Sequence, residues 1–186
     1  MTQFFPPHLS DSNEKYYRRG KKIPKWFYRI TTKAIVMNKK WQILILREGR
    51  FSDKKSEFYR DDAGLYDLPG RGLDYGEDFR EGLFRELREE IWLDEKYITI
   101  SDEPLYIQVT ELDDRYFDDL EKDDFYPVVM MYYPVKLTAF DFHDSPECTS
   151  YEWVSLTEYK HKPIWTHSAS LGLIFKQSDF PKEYIS

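Results

Sequence analysis

The segment "LYDLPGRGLDYGEDFREGLFRELREEI", residues 65–91, constrains the fold more than any other part of the chain. A short strand that runs into Pro69-Gly70 must stop there, because proline removes a ladder donor and glycine opens backbone angles that strands do not use. The residues after it change period. At about 100° per residue, Phe79, Leu83, Phe84, Leu87 and Ile91 fall on one apolar stripe, which predicts an amphipathic helix packed on a core. Asp78 is its N-cap, with Glu81 as the capping-box partner.

Glu86, Glu89 and Glu90 share the flank of that stripe, with Glu90 at its border. They are related by i,i+3 and i,i+4, so the three carboxylates meet in space. Like charges at that spacing destabilise a helix, and glutamates near its C-terminus also oppose the helix dipole. Capping explains the acids at the start of the helix and none of those at its end. A divalent cation, held by a few carboxylates and its own waters, is the most direct compensation. Gly82 lies by angle in the middle of the acidic flank, and a glycine inside a helix costs about 0.5 to 1 kcal/mol relative to alanine. Its missing side chain is expected to leave room for a hydrated metal or a phosphate. The turn through Gly70, Gly72 and Gly76 can aim backbone groups at the same place. A charged helix face is more often only solvated, and Glu81 to Arg85 is an ordinary i,i+4 pair. The glycine loop and the full spacing together favour a site over that plain reading.

The rest of the chain supplies the scaffold. Residues 1–25 mix prolines, polar residues and the basic cluster Arg18-Arg19-Gly20-Lys21-Lys22, which reads as an arm whose cations are solvated. Residues 26–186 form a single domain, a size at which roughly 70% of the unfolded surface can be buried. "WFYRITTKAIVM" and "WQILILREG", with "NKK" between them, read as a hairpin. Two strand regions, "YITISDEPLYIQVTEL" and "YPVVMMYYPVKLTAF", flank the acidic excursion 113–124, read as a solvated loop. "TSYEWVSL" is a last strand and "SASLGLIFKQ" a closing helix. At 41% hydrophobic, 33% charged and 18% aromatic, the composition excludes a disordered chain. The net charge of -7 argues against generic binding to nucleic acid or an anionic membrane. The lone Cys148 excludes an internal disulfide and is read as structural. The first residues lack a signal-peptide pattern, and no apolar run reaches membrane-spanning length. A soluble cytoplasmic protein is expected.

With these residues in place, the chain resembles the Nudix hydrolases. Glu77, seven residues, then Arg85-Glu86-Leu87-Arg88-Glu89-Glu90 is similar to the Nudix box, G-x5-E-x7-R-E-U-x-E-E-x-G-U, where U is a bulky apolar residue. All the charged positions match. Arg71 and Trp92 replace the two glycines of the pattern; the first bears on how the loop carbonyl reaches a metal, the second on how the helix ends. "SYEWVSLTEY" is similar to a tryptophan-containing strand end common in the family. The resemblance implies a three-layer α/β/α sandwich around a mixed β-sheet, and hydrolysis of a nucleoside diphosphate linked to another moiety. It implies that Glu86, Glu89 and Glu90 hold Mg2+ or Mn2+. Glu86 or Glu90 would also help to activate water, Arg85 would orient Glu86, Glu77 would complete the acidic ring, and the Gly70 carbonyl would be a further ligand. A catalytically weak Nudix-like nucleotide-binding or regulatory domain is the alternative.

Outside the box, Glu147 is the candidate for an additional ligand or base, with Glu111 and Glu152 as alternatives. Phe58, Tyr59, Tyr66, Tyr75 and Tyr116 lie in or beside loops where a base could stack, whereas Trp26 and Trp41 read as core. His143, His161 and His167 have no ligand spacing, so zinc is not expected. The expected partner is a small nucleotide, with no membrane and no nucleic acid apart from a capped RNA end. Monomer and homodimer both remain open.

Overall fold

In the computed structural model, residues 28–48, 65–74, 76–112, 126–140, 148–164, 171 and 175–186 are described. The elements run β1 (Arg29–Val36), β2 (Gln42–Glu48), β3 (Tyr66–Asp67), α1 (Phe79–Ile91), β4 (Ile98–Ile100), β5 (Tyr106–Leu112), β6 (Tyr126–Leu137), β7 (Cys148–Ser155) and the single-turn α2 (Leu156–Tyr159). In one sheet β6 is central, parallel to β1 on one side and antiparallel to β4 and β5 on the other. The second sheet has the order β3-β2-β7, all antiparallel. The strand region 97–112 holds two strands, which pair with successive parts of the long β6.

The expected hairpin of β1 and β2 is corrected. The turn is present: Asn38 Oδ1 accepts from the backbone N–H of Lys40 at 2.9 Å and of Gln42 at 3.1 Å. The strands nevertheless share only the bridge between Met37 and Ile43 before they part into different sheets. The segment that follows β3 fills the wedge between them. β3 pairs with Leu46 and Arg47 of β2, and the chain then turns onto β1, where Ala34 N–H donates to Pro69 O at 2.8 Å and Thr32 N–H to Arg71 O at 3.0 Å. Those backbone groups of β1 are thus satisfied by the glycine loop instead of by β2.

Both strands are buried on both faces, as the middle layer of an α/β/α sandwich requires. Ala34, Val36, Leu44 and Leu46 pack with Leu83, Leu87 and Ile91 of α1. The alternate residues Ile35, Met37, Ile43 and Ile45 pack with Tyr159, Leu171, Phe175 and Phe180. Each of the three α1 residues is fully buried, worth roughly 1.5–3 kcal/mol apiece. Phe79, expected on the same stripe, is 40% exposed; the buried stripe begins one turn later, at Leu83. Of the predicted closing helix, Leu171 is helical and Phe175 N–H donates to its carbonyl at 2.8 Å. The arm, the loop 113–124 and the basic cluster lie outside the described residues. Among the described residues no helix is long and apolar enough to cross a membrane.

The capping box forms as the sequence requires, with Asp78 accepting from Arg80 N and Glu81 N, and Glu81 accepting from Asp78 N. The other end is strained. Trp92 adopts the left-handed conformation, φ 57° and ψ 30°, and is 60% exposed. A left-handed non-glycine residue costs roughly 1–2 kcal/mol, and little packing offsets it. Trp92→Gly is therefore expected to stabilise the protein by about 1 kcal/mol after the added entropy of the unfolded chain, a rise of roughly 2–4 °C in Tm by calorimetry.

Candidate active site

The Gly70 turn, the first turn of α1 and the core-facing edge of that helix converge on one cluster. Gly70 has φ +112°, and a Cβ there would overlap the Thr32 carbonyl and lie 2.9 Å from Leu83 Cδ1, so only glycine fits. Its N–H donates to Glu90 Oε2 at 2.7 Å. Its carbonyl accepts from Lys33 Nζ, which also donates to Asp67 Oδ2 at 2.6 Å and to the Leu68 carbonyl at 3.1 Å. Lys33 and Asp67 are both buried.

On the solvent side Arg85 gathers the remaining acids. Its Nε and Nη2 donate to the two oxygens of Glu77 at 2.6 and 3.1 Å, and its Nη1 donates to Glu86 Oε1 at 2.6 Å and Glu89 Oε2 at 3.3 Å. Glu77 also accepts from Asp74 N–H at 2.8 Å, which ties the loop to the helix. Arg85 holds the Glu77 carboxyl below the usual range.

Glu86 and Glu90 differ from Glu89 in being desolvated. Each is 4% exposed. Burial raises the Glu86 carboxyl, against the opposing pull of Arg85. It pushes Glu90 up to about 8, opposed by the charge of Lys33, reinforced by Glu86 and opposed again by the Gly70 N–H. Among the described residues Glu86 Oε2 is a buried oxygen without a hydrogen-bond partner. The donors are hard oxygens, the set that Mg2+ and Mn2+ prefer, and the orphaned oxygen fits a cation approaching from that side. With Arg85 among them, no three His, Cys, Asp or Glu side chains of the described residues are gathered closely enough to cage an ion.

Other expectations sort by position. Glu147, Phe58, Tyr59, Tyr75, Tyr116, His143 and His167 lie outside the described residues, as does the side chain of Glu111. Glu152 does not join the cluster. It pairs in register with Ile45, on the face away from α1, where it accepts from Tyr66 Oη and Lys162 Nζ. Tyr66 is committed to that contact rather than to a loop platform. His161 is exposed and Cys148 buried. The reading of Gly82 is corrected: no open approach exists, since a Cβ there would overlap Leu73 Cδ2 and stand 3.1 Å from Glu77 Oε2. The glycine makes room for the loop. Sequence reasoning missed Lys33 and Asp67; the one signal was a lysine inside the apolar run "ITTKAIVM".

The NUDIX domain model matches residues 27–172. The chain belongs to the Nudix family. Its fold is that of a MutT protein from Methanosarcina mazei Go1, with a TM-score of 0.59 and 23% identity over 82% of this chain and 95% of that one. An Ap4A hydrolase from C. elegans gives 0.53 and 17%, covering 78% and 93%, and an ADP-ribose pyrophosphatase from Streptococcus suis 89-1591 gives 0.52 and 18%, covering 80% and 91%. The chain's sequence finds no significant match among curated proteins. The matched residues span the cluster described above.

The notch at Gly82 and the proton on Glu90 each generate a prediction. Because Leu73 fills the notch, Gly82→Ala should destabilise by about 1 kcal/mol despite its better helix propensity. In a Leu73→Ala background the same change should instead stabilise by roughly 0.5–1 kcal/mol, a sign reversal that a double-mutant cycle in urea would reveal. Folded Glu90 keeps its proton up to about 8 whereas the unfolded residue loses it near 4.5, so the folded state holds the extra proton and parent stability falls as pH rises across that window. Metal-free Glu90→Gln, which carries no such proton, should match the parent near pH 4 and melt progressively higher than it towards pH 8.

Proposed function

We propose that this chain is a metal-dependent pyrophosphohydrolase that cleaves the pyrophosphate bond of a nucleoside diphosphate linked to another moiety. The observation that carries the reading is the pair of buried carboxylates, Glu86 and Glu90, set side by side under a glycine turn with one oxygen unpartnered. A solvated helix face has no reason to desolvate its acids. The similar structures include proteins called an Ap4A hydrolase and an ADP-ribose pyrophosphatase. Those names differ in the substrate and share cleavage of a phosphoric anhydride, so they support the bond rather than the substrate.

Glu86, Glu89 and Glu90 would hold Mg2+ or Mn2+, with Glu77 in the outer ring and the Gly70 carbonyl as a further ligand. The ion, when bound, neutralises charge on the phosphate oxygens and lowers the pKa of water. The protein supplies the orientation. Arg85 fixes Glu86 through Oε1 and leaves Oε2 to face the site, while the Gly70 N–H fixes Glu90. Glu86 or Glu90 would help to activate the attacking water when ionised, and burial makes both carboxyls stronger bases than exposed ones. Glu147 is the residue outside the helix to be tested for a second base or ligand. The protein acts in this reading on a small soluble nucleotide in the cytoplasm.

The test is a set of glutamine variants on a nucleotide panel that includes ADP-ribose, nucleoside triphosphates, dinucleoside polyphosphates and capped RNA. Glu86→Gln, Glu89→Gln and Glu90→Gln should each lower turnover by at least about a hundredfold while remaining folded. Glu81→Gln, which touches only the cap, should retain turnover and lose about 1 kcal/mol of stability. Chelation with EDTA should abolish hydrolysis. Full turnover in EDTA, or in all three site variants, would sink the hydrolase reading and leave a nucleotide-binding domain.

A further inference from the structure

Neither the family box nor the proposed hydrolysis accounts for Lys33. It stands in β1 between the fully buried Thr32 and Ala34 and is itself 2% exposed. Its ammonium is satisfied by three oxygens, from Asp67, Leu68 and Gly70. Stability does not explain it, because a buried ion pair is commonly no better than apolar residues of the same volume. Its position does have a use. Gly70 carries the Lys33 side chain on its carbonyl and the Glu90 carboxyl on its N–H, so one residue separates a basic group from a site of clustered acids.

We infer that Lys33 is a resident cation of the active site, which fixes the Gly70 turn beneath Glu90 and lowers the free protein's affinity for divalent ions. The inference rests on the metal-dependent reading given above. Two consequences follow from charge and geometry. The ammonium repels an incoming dication across a short desolvated distance, and it competes for the Gly70 carbonyl as a ligand. Metal is then held well only when the phosphate oxygens of a nucleotide add their own charge and ligands to those of the protein. Lys33 acts in this scheme as a positioning residue that does not touch substrate.

Mn2+ binding, read by electron paramagnetic resonance of the free ion, tests this without turnover. The parent, Lys33→Arg, Lys33→Met and Lys33→Met/Asp67→Asn are compared with Mn2+ alone and with Mn2+ plus inorganic pyrophosphate. Lys33→Met should bind Mn2+ about tenfold more tightly than the parent in the absence of pyrophosphate, and Lys33→Arg should bind as the parent does. The double variant guards against unfolding caused by loss of the ammonium beside Asp67. It leaves local charge unchanged, so its gain comes from the freed Gly70 carbonyl and should be smaller, about threefold. If the folded variants bind Mn2+ no more tightly than the parent, Lys33 is only structural and the inference is overturned. Failure of both neutral variants to fold overturns it as well. A parent that binds no Mn2+ even with pyrophosphate refutes the metal-dependent reading itself, and the inference falls with it.

Discussion

The constraint on which the rest of the molecule depends is the desolvation of two carboxylates at the edge of a hydrophobic core. Leu83, Leu87 and Ile91 cannot leave the sheet without exposing a large apolar area, and helical spacing then carries Glu86 and Glu90 to the same boundary. The helix cannot rotate to solvate the acids without giving up the leucines. What surrounds them follows from that conflict: a guanidinium on one side, a backbone N–H beneath, and a buried ammonium one residue further in. Arg85 gathers Glu77, Glu86 and Glu89, a geometry that a lysine, with one point charge, would not reproduce.

The wedge between the sheets has the same origin. A glycine turn can lie beneath α1 only if β1 offers free backbone groups to hold it, and β1 has them because β2 departs after one bridge. The interruption of the hairpin is thus what seats the loop. Gly82 completes the fit from the helix side, by accepting Leu73 of that loop rather than a ligand.

Local chemistry is legible in the sequence and distant pairing is not. The N-cap, the capping box, the buried stripe from Leu83 and the flank of glutamates are all set by residues within a few turns, so periodicity and spacing find them. The partner of β1 is β6, far along the chain, whereas the short "NKK" turn points to β2. Gly82 misleads because a missing side chain has the same sequence signature whether a ligand or a leucine fills the space. Asp67 gives no signal at all, since the buried lysine it pairs with lies 34 residues earlier. Trp92 shows the reverse: the helix ends in a left-handed conformation that glycine adopts freely, and a tryptophan gives no sign of it.

The parallel pairing of β1 with β6 also fixes the order in which the protein can assemble. Arg29 is in register with Val128, so the strand that seats the glycine turn waits for a partner roughly a hundred residues downstream, a separation that slows closure. During synthesis from the N-terminus, β1, β2, the turn and the whole acidic helix leave the ribosome before β6 exists. Until then the groups of β1 that β6 will occupy are an open strand edge, and the apolar side of α1 has only part of its sheet to cover it. The groups that hold Glu86 and Glu90, Arg85 and the Gly70 turn, thus precede β6 along the chain, while the sheet on which the apolar stripe of α1 packs is complete only with it.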